Sequence, residues 1–359
     1  DTMCIGDTRT GKSQMAQRFV KVLGMGGYIN GENARRTGVI GGVQRFGDSW
    51  VVTWGAIPMN DRGLLMIDEA SGLEVEDIKD LSSTRSSGAV TLNKIVKGEA
   101  RARTRLLWFS NPRNGRNLSD FYWKGFGAFQ EFIPVMEDQA RFDLVISAAR
   151  EDVDVLGDFD YDTPVQVGPW RALFSLAWSI EADDIKITSE AKAEVRACAK
   201  DLNAKLGGGS LIVGVAVHEK LLRLACAFAI ASGSYDPVTG WLQVDARYVR
   251  WAEEFLEVTL NKSSMAYGDY IREFKRAQAK RADNMQFIRT LIAVNPAIKA
   301  LLTASSFKGF QFQEILGMSK DESSKIMSDL ITRGLLRPGP SASYIPDKLL
   351  MEVAKQMDL

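Results

Sequence analysis

Residues 6–13 read GDTRTGKS and match the full pattern of a phosphate-binding loop, G-x-x-x-x-G-K-[ST]. In such a loop, glycines let backbone N–H groups close around phosphates, and the helix that follows adds positive potential. Lys12 would reach the β- and γ-phosphates, and the Ser13 hydroxyl would ligate magnesium. A short apolar strand at residues 2–5 and a helical run at residues 14–22 flank the loop, as this motif requires. The sequence therefore predicts a site for ATP and Mg²⁺, and the nucleotide-binding residues are Gly6, Thr8, Thr10, Gly11, Lys12, Ser13 and Gln14.

An apolar strand that ends in two carboxylates is the second motif. Residues 64–67 read LLMI and are followed by Asp68 and Glu69. Asp68 would share the magnesium shell with Ser13, and Glu69 would orient and polarise the attacking water. A buried strand followed by an acidic helix start is common by itself. Together with the phosphate-binding loop, however, it predicts hydrolysis of the nucleotide.

Two polar side chains later in the chain could complete this chemistry. Asn111 follows the apolar run 106–110 and could position water against the γ-phosphate. Arg141 precedes the apolar residues 144–146, where a neighbouring subunit could receive it as a trans-acting finger. The simpler interpretation of Arg141 is a surface salt bridge. The predicted catalytic set is Lys12, Asp68, Glu69, Asn111 and Arg141.

Composition limits the class of protein. A chain of 359 residues is long enough for two or three domains. Lys plus Arg equals Asp plus Glu at 45 each, so any contact with nucleic acid must come from a local basic patch. Three scattered cysteines and one histidine argue against a zinc site and a disulfide framework. No leader and no long uncharged run is evident, so we expect a soluble intracellular protein, cytoplasmic or nucleoid-associated, without a membrane partner.

Patterning along the chain predicts three domains. Residues 1–160 alternate short apolar runs with glycine-rich turns, as in an α/β core, and the acidic stretch 151–169 is typical of a boundary. Residues 161–281 have a helical period and are expected to form an all-α lid. The sequence also opens abruptly before its first motif, so we expect that a further N-terminal part precedes it.

Residues 282–359 have the order of a winged helix, which is three helices followed by a turn-rich hairpin. Ser319 and Glu322 form a capping box at the start of the third helix, and Gly334 stands where a helix should end. Pro338 and Pro340 enclose a glycine that favours the turn of a wing. The alternative is a generic three-helix satellite.

At this point the sequence resembles a known family, the AAA+ module of the minichromosome maintenance (MCM) replicative helicases. Residues 6–14 resemble the GDPGTAKSQ loop of that family, with Gly11 in place of its alanine, and residues 65–69 resemble its Walker B strand. Residues 110–113 are similar to its first sensor, and residues 140–144 to its arginine-finger segment SRFDL. Residues 37–63 resemble its helix-2 insert. The likeness extends to about residue 232 and implies an α/β P-loop NTPase (AAA+) core with an α-helical lid and a C-terminal winged-helix domain.

The same resemblance implies that residues 90–105 form a β-hairpin that projects into a central channel and grips DNA. Five cations stand there against Glu99 alone, whereas the whole chain is neutral, and phosphate neutralisation needs such local charge. The alternative is a solvated hairpin without a ligand. The residues assigned to DNA are Lys94, Lys97 and Arg101.

The helix that carries the second sensor departs from the family pattern. At the register set by residues 221–225, the expected arginine falls on Ala216, so either the register has shifted or another residue substitutes. Arg223 matches a second arginine of the family and Lys220 lies close by, so both are assigned to the nucleotide. The zinc-bearing and OB-fold N-terminal domain of the family is absent from this sequence.

These observations leave two main hypotheses. In the first, a homo-oligomer, expected to be a hexameric ring, hydrolyses ATP between subunits and moves on a single DNA strand, or a forked duplex, held in its channel. In the second, an AAA+ initiator, loader or transcription regulator uses ATP as a switch without unwinding DNA. A remodelling ATPase of the chelatase or chaperone type is a third reading, in which the basic hairpin would bind a protein.

Overall fold

The computed structural model describes residues 1–24, 26–153 and 167–357. It contains two compact units, Asp1–Arg272 and Glu273–Leu359. The expected boundary between residues 160 and 161 lies outside the described residues, as does most of the acidic stretch. The second unit begins at Glu273 rather than at residue 282, because the segment around that expected boundary continues one long helix. No helix in the described ranges is long and apolar enough to cross a membrane.

The first unit contains a central sheet, two hairpins and a helical part with a small sheet. Its strands and helices, in chain order, are β1 (Thr2–Gly6), α1 (Lys12–Leu23), β2 (Gly27–Asn30), α2 (Arg36–Val39), β3 (Gly41–Phe46), β4 (Ser49–Trp54), α3 (Ala56–Met59), β5 (Leu64–Asp68), α4 (Val75–Ser87), β6 (Ala89–Asn93), β7 (Lys97–Arg101), β8 (Arg105–Ser110), α5 (Lys124–Phe132), α6 (Met136–Ala140), β9 (Leu144–Ala148), α7 (Val167–Ser179), β10 (Ile185–Ile187), α8 (Ser189–Leu206), α9 (Val217–Ala231), β11 (Tyr235–Asp236), β12 (Trp241–Val244) and α10 (Ala246–Asn261). Helix α11 (Tyr267–Val294) follows and continues into the second unit.

The central sheet is parallel throughout, in the order β2-β5-β8-β1-β9. Strand β5 is buried along its whole length, which accounts for its continuous apolar sequence. Strands β1 and β9 pair so closely that a Cβ atom on Gly6 would lie 2.2 Å from the carbonyl oxygen of Ala148. The first glycine of the phosphate-binding loop is therefore required by strand pairing, independently of any ligand.

Two antiparallel hairpins leave this sheet, β3-β4 and β6-β7. The turn of β3-β4 lies at Gly47 and Asp48. The hairpins contact one another, since a Cβ atom on Gly98 of β7 would lie 3.0 Å from Val52 and 3.3 Å from Trp54, both on β4. Leu92, on the same face of β6-β7 as Gly98, is buried.

The expectation of an all-α lid is wrong in one respect. Helices α8, α9 and α10 pack together, but a three-stranded sheet, β10-β12-β11, joins them. Its central strand is short and alternates exposed Trp241 and Gln243 with buried Leu242 and Val244. A run of four residues between two long amphipathic helices is easily absorbed into a helical period, which is why the pattern concealed it.

The second unit has its own core and a three-stranded sheet of order β13-β15-β14. After α11 its elements are α12 (Lys299–Leu302), β13 (Phe307–Lys308), α13 (Gly309–Leu316), α14 (Lys320–Thr332), β14 (Leu336–Pro338), β15 (Ser343–Pro346) and α15 (Lys348–Gln356). Ser319 caps α14 and exchanges hydrogen bonds with Glu322 in a capping box. Gly334 follows α14 with a left-handed φ of 77°.

Candidate nucleotide site

The predicted phosphate-binding residues meet at the carboxyl edge of the central sheet, where β1, β5 and β8 end. Parallel strands bring their carboxyl ends to one edge, so residues distant in sequence become neighbours there. A cleft with a cavity volume of about 430 Å³ opens at this edge. It is lined by Thr8, Arg9, Thr10, Gly11, Lys12, Ser13, Gln14, Glu69 and Asn111. The structure thus unites the loop, one Walker B carboxylate and the predicted sensor in one site.

Lys12 is held at the centre of the loop. Gly11 precedes α1 with φ 82°, a conformation that favours glycine and turns the chain into the helix. The Lys12 ammonium donates to the carbonyl oxygen of Gly6 and the hydroxyl of Thr10, each at 3.0 Å, and to the carbonyl of Asp7. The side chain is 7% exposed, and burial lowers its pKa, although nearby Cys4, Asp7 and Asp68 oppose that shift. A desolvated ammonium of this kind interacts strongly with an anion.

Asp68 and Ser13 form the expected oxygen pair. The Ser13 hydroxyl donates to one Asp68 carboxylate oxygen at 3.2 Å. Tyr28, at the neighbouring strand β2, donates to the other oxygen at 2.7 Å. The backbone N–H of Glu69 also donates to Asp68, at 3.0 Å, so this buried carboxylate is held from three sides. Tyr28 lies outside the sequence motifs, so no local pattern marks it as a functional residue.

Glu69 is oriented by Asn30, another residue that sequence reasoning missed. Asn30 accepts the backbone N–H of Glu32 at 2.8 Å, which turns its amide nitrogen toward Glu69 at 3.1 Å. The charge of Glu69 in turn raises the pKa of Glu32, so a second carboxyl group lies beside it. A polar residue at the carboxyl end of a parallel strand, as Asn30 is on β2, was the available signal.

Asn111 lies at the end of β8, on the rim of the same cleft. Its side-chain oxygen is buried and has no hydrogen-bond partner among the described residues. Such a group is costly to leave unsatisfied, and it therefore marks a position where a polar ligand would be accepted. The water-positioning role of Asn111 remains a prediction.

Asp7, inside the loop, fastens it to two other segments. One carboxylate oxygen accepts the backbone N–H of Leu118 at 2.7 Å, and the other accepts that of Arg150 at 3.0 Å. The Arg150 side chain returns to the Thr8 hydroxyl at 2.8 Å. The loop is thus positioned by protein contacts before any ligand is considered.

The residues present fit ATP with magnesium. Carboxylate and hydroxyl oxygens, as in Asp68 and Ser13, are the hard ligands that magnesium prefers, and a desolvated lysine stands beside them. The metal would neutralise the charge that develops on the phosphates. Glu69 is the residue placed to orient a water molecule at the cleft.

Arg141 lies at the opposite edge of the sheet. It precedes β9, whose amino end pairs Leu144 with Thr2 of β1, whereas the phosphate-binding loop begins at Gly6. About 13 Å of strand separates these two edges. The Arg141 guanidinium donates to Asp138 at 3.3 Å and to the hydroxyl of Ser86, and its side chain is 28% exposed. It does not join the phosphate-binding residues of its own chain.

Lys220 and Arg223 also lie at this amino edge, so the structure does not bring them to the loop of the same chain. The Lys220 ammonium is buried and donates to the carbonyl oxygens of Phe142 and Ile212. Arg223 pairs with Asp143 and with Glu219. They do not line the cleft of their own chain, because α9 packs against the arginine segment rather than over the loop. Their assignment to the nucleotide remains a prediction.

The basic hairpin exists, but it is shorter than expected. Strands β6 and β7 span residues 89–101, and Lys94, Lys97 and Arg101 are exposed on it. Arg103 instead forms a two-pronged pair with Asp61, at 2.6 and 3.1 Å, which lowers the pKa of Asp61 to about 2. Arg105 begins β8 and stacks on Trp178. Because Arg103 and Arg105 make these contacts within the chain, they do not add to the positive charge that the hairpin offers to a ligand.

Comparisons with known proteins agree on the N-terminal part of the chain. Residues 1–149 match the family model "MCM P-loop domain". The chain is 26% identical over 162 residues to DNA replication licensing factor mcm2 of Xenopus tropicalis, covering 44% of this chain and 18% of that protein. It is 28% identical over 166 residues to an uncharacterized MCM-type protein of Methanocaldococcus jannaschii, covering 44% of this chain and 21% of that protein. The match thus spans about a fifth of the length of these curated relatives.

Proposed function

Because residues 1–149 form an MCM-like AAA+ module with an α/β P-loop core and a parallel sheet, we propose that the protein is an ATPase motor. In this proposal, copies of the chain assemble into a ring, expected to be a hexamer, and hydrolyse ATP at their interfaces. The energy is used to translocate on DNA and to unwind it during replication.

The observation that carries the proposal is the separation of the two edges of the sheet. The cleft holds Lys12, Ser13, Asp68 and Glu69, and among the residues that the structure describes, Arg9 of the loop is the one arginine that lines it. Arg141 is partly exposed about one strand length away, at the other edge. A cation that cannot reach its own phosphate-binding loop is suited to a neighbour's, as in a trans-acting arginine finger. Assembly of copies would then complete each site.

Each residue of the module has a distinct task in this mechanism. Lys12 and the loop N–H groups bind the phosphates, and Ser13 and Asp68 would hold the magnesium ion. Glu69, oriented by Asn30, accepts a proton from the attacking water as hydrolysis proceeds. Asn111 positions that water, and Arg141 of the next copy stabilises the charge on the transferred phosphoryl group.

DNA would be contacted by the β6-β7 hairpin. Lys94 and Lys97 stand at its tip and Arg101 on β7, exposed and in a chain whose formal net charge is zero. The packing of Gly98 on β4 braces this hairpin against the β3-β4 hairpin, so that force could pass between them. Both features suit a strand-gripping element that moves with the nucleotide cycle.

The second unit is proposed to be a winged-helix domain. Helices α11, α13 and α14, followed by the β14-β15 hairpin with strand β13 alongside, have the order of that fold. The exposed residues of α14 include three carboxylates, Asp321, Glu322 and Asp329, against two lysines, Lys320 and Lys325. This face offers no net positive charge to a DNA backbone, and it therefore favours a protein partner over duplex DNA.

Steady-state ATPase activity of the purified chain tests the proposal directly. It should be measured with and without single-stranded and forked DNA, alongside the native mass in ATP and Mg²⁺. A ring-sized assembly with DNA-stimulated turnover would support the motor. Slow turnover that ignores DNA, with nucleotide binding intact, would contradict it and support the switch-like initiator, loader or regulator.

A further inference from the structure

Lys220 is a buried cation with an unusual pair of partners. It lies on α9, is 4% exposed, and its ammonium donates to the carbonyl oxygen of Phe142 at 2.6 Å and to that of Ile212 at 2.8 Å. Phe142 is the residue directly after Arg141, and Ile212 belongs to the loop between α8 and α9. One side chain therefore joins three segments of the chain next to Arg141.

A second connection joins the same two loops. The Ser210 hydroxyl donates to the side-chain oxygen of Gln139 at 2.9 Å, and the Gln139 amide donates to the carbonyl of Ile133 at 2.8 Å. Both Ser210 and Gln139 are buried. The segment 139–142 is thus held at Gln139 by the loop that precedes α9 and at Phe142 by Lys220 of α9, and Arg141 lies between these points.

The surroundings of Lys220 supply only partial compensation for its charge. Asp143 faces it from the segment before β9, and Arg223 opposes it from the next turn of α9. Arg85 of α4 stacks on the Phe142 ring at 4.6 Å and lies near Asp138 and Asp143. The loop 207–213 contributes no charged residue. Burying an ammonium at such a place is costly, which argues that the charge has a use.

We propose that Lys220 is a positioning residue for Arg141, which fixes the arginine segment to the helical lid so that the guanidinium is presented to the neighbouring copy. This inference rests on the proposed function, because it assigns Arg141 to an intersubunit nucleotide site. It differs from a sensor role, since the Lys220 ammonium is buried and donates to two carbonyl oxygens of its own chain. Lid movements during the cycle would then move Arg141 directly.

The charge of Lys220 makes this connection sensitive to pH. Burial lowers its pKa to about 8, so the ammonium is lost as pH rises through that value, and two donated hydrogen bonds weaken with it. Because the unfolded chain keeps its proton up to about pH 10.5, Lys220 contributes more to the free energy of unfolding as pH rises between these values. Between about pH 8 and pH 10.5, Lys220 should therefore cease to hold the Arg141 segment in place, although its deprotonation does not destabilise the fold.

The first experiment compares Lys220→Met with wild type and with the control Lys200→Met, which alters an exposed lysine on α8. We expect Lys220→Met to lower kcat about ten- to a hundredfold, as misplacement of a reacting group does, without changing affinity for an ATP analogue. The control should leave both unchanged. Mixing Lys220→Met with Glu69→Gln protein should restore turnover, because one supplies the loop and the other the arginine.

The outcomes separate this inference from the proposed function. If Arg141→Ala leaves kcat unchanged, the intersubunit site itself is wrong. If Arg141→Ala lowers kcat while folded Lys220→Met does not, or if the two losses multiply in the double variant, only the role of Lys220 is overturned. Failure of the mixture to recover turnover, with mixed assemblies verified by native mass, would also overturn it.

A conservative variant covers the case in which Lys220→Met does not fold. Lys220→Arg keeps a charge that persists above pH 10 and can still donate to both carbonyls. It should retain turnover at pH 7 and lose less turnover than wild type between pH 7.5 and 9. Identical pH profiles for the two proteins would overturn the proposal.

Discussion

The two edges of the central sheet differ in how completely they are satisfied by their own chain. At the carboxyl edge, Lys12 and Asp68 are buried, and the loop is fixed by Asp7 to two further segments. At the amino edge, Arg141 and Arg223 remain 28% and 59% exposed, with partners that are acidic side chains or a hydroxyl. The first edge is built to hold an anion, whereas the second carries partly exposed arginines that are paired with carboxylates of their own chain. Under the proposed function, each edge would serve the other across copies of the chain.

Removal of the lysine from the carboxyl edge should have the largest effect. Lys12→Ala deletes a desolvated ammonium that the loop places at the centre of the site. We expect ATP turnover to fall to the background of the assay, with loss of nucleotide affinity in equilibrium binding. Turnover that survived at more than a few per cent would mean that this edge is not the nucleotide site.

Arg141→Ala tests the amino edge and should rank second. We expect a loss of about 10³ in kcat, because an arginine finger acts on the transition state, with nucleotide affinity retained. Arg223→Ala serves as the comparison, since it removes a second arginine from the same edge, one whose side chain is more exposed, at 59% against 28%. Equal losses in both variants would show that the edge matters only through its general charge.

Glu69→Gln should reduce kcat by about 10², the usual contribution of a general base, while ATP stays bound. Mixing this protein with Arg141→Ala protein sharpens the comparison. Recovery of activity in the mixture, relative to either variant alone, is expected if one site uses residues of two copies. The absence of recovery in verified mixed assemblies would place both edges in one chain's cycle instead.

Substitutions in the β6-β7 hairpin should have a smaller effect than substitutions at either edge of the sheet. Lys94→Ala with Lys97→Ala is expected to weaken single-stranded DNA binding about tenfold at low salt and to reduce the salt slope by about 1.4. Lys192→Ala with Lys200→Ala provides a control of equal charge on α8. Basal ATPase activity without DNA should not change in either double variant.

The smallest expected effect concerns the base of that hairpin. Asp61→Asn removes the partner of Arg103, so the melting temperature should fall slightly at pH 7. The pKa of Asp61 lies at about 2, below its ordinary value of 3.8, so the pair stabilises the fold above pH 3.8 and this contribution is lost as pH falls through about 2. A difference between variant and wild type that did not shrink as pH fell from neutral toward 2 would contradict this account.

Sequence reasoning succeeded where local pattern and function coincide. The loop at residues 6–13 and the strand before Asp68 were readable because glycine placement and apolar runs reflect local geometry. Tyr28 and Asn30 escaped because their role comes from the pairing of β2 with β5, which no local pattern encodes. The contacts of Lys220 with two carbonyl oxygens could not be predicted either, since a cation near a sensor position has the same sequence pattern whether it binds phosphate or a carbonyl oxygen.

The number of hairpin cations available to DNA was overestimated for a related reason. Arg103 and Arg105 were included with the hairpin cations, but Asp61 lies about 40 residues earlier and could not be recognised as a partner from spacing. The pairing of β10 with β12 in the lid was hidden in the same way, because it joins residues more than 50 positions apart, although β11 and β12 form a local hairpin. Long-range pairing is the information that the sequence pattern lacked.

Strand β9 has a mechanical consequence that its hydrogen bonds imply. Its carboxyl end is fastened to the phosphate-binding loop, since the backbone N–H of Asp7 donates to Ala148 at 2.9 Å and the Asp7 carboxylate holds Arg150. Its amino end follows Arg141. A five-residue strand in a pleated sheet resists stretching, so it behaves as a stiff rod between these ends. In a ring of copies, β9 would therefore couple each nucleotide site mechanically to the next. A displacement of the phosphate-binding loop in one copy would be transmitted along this strand to Arg141, and so to the site of the neighbouring copy.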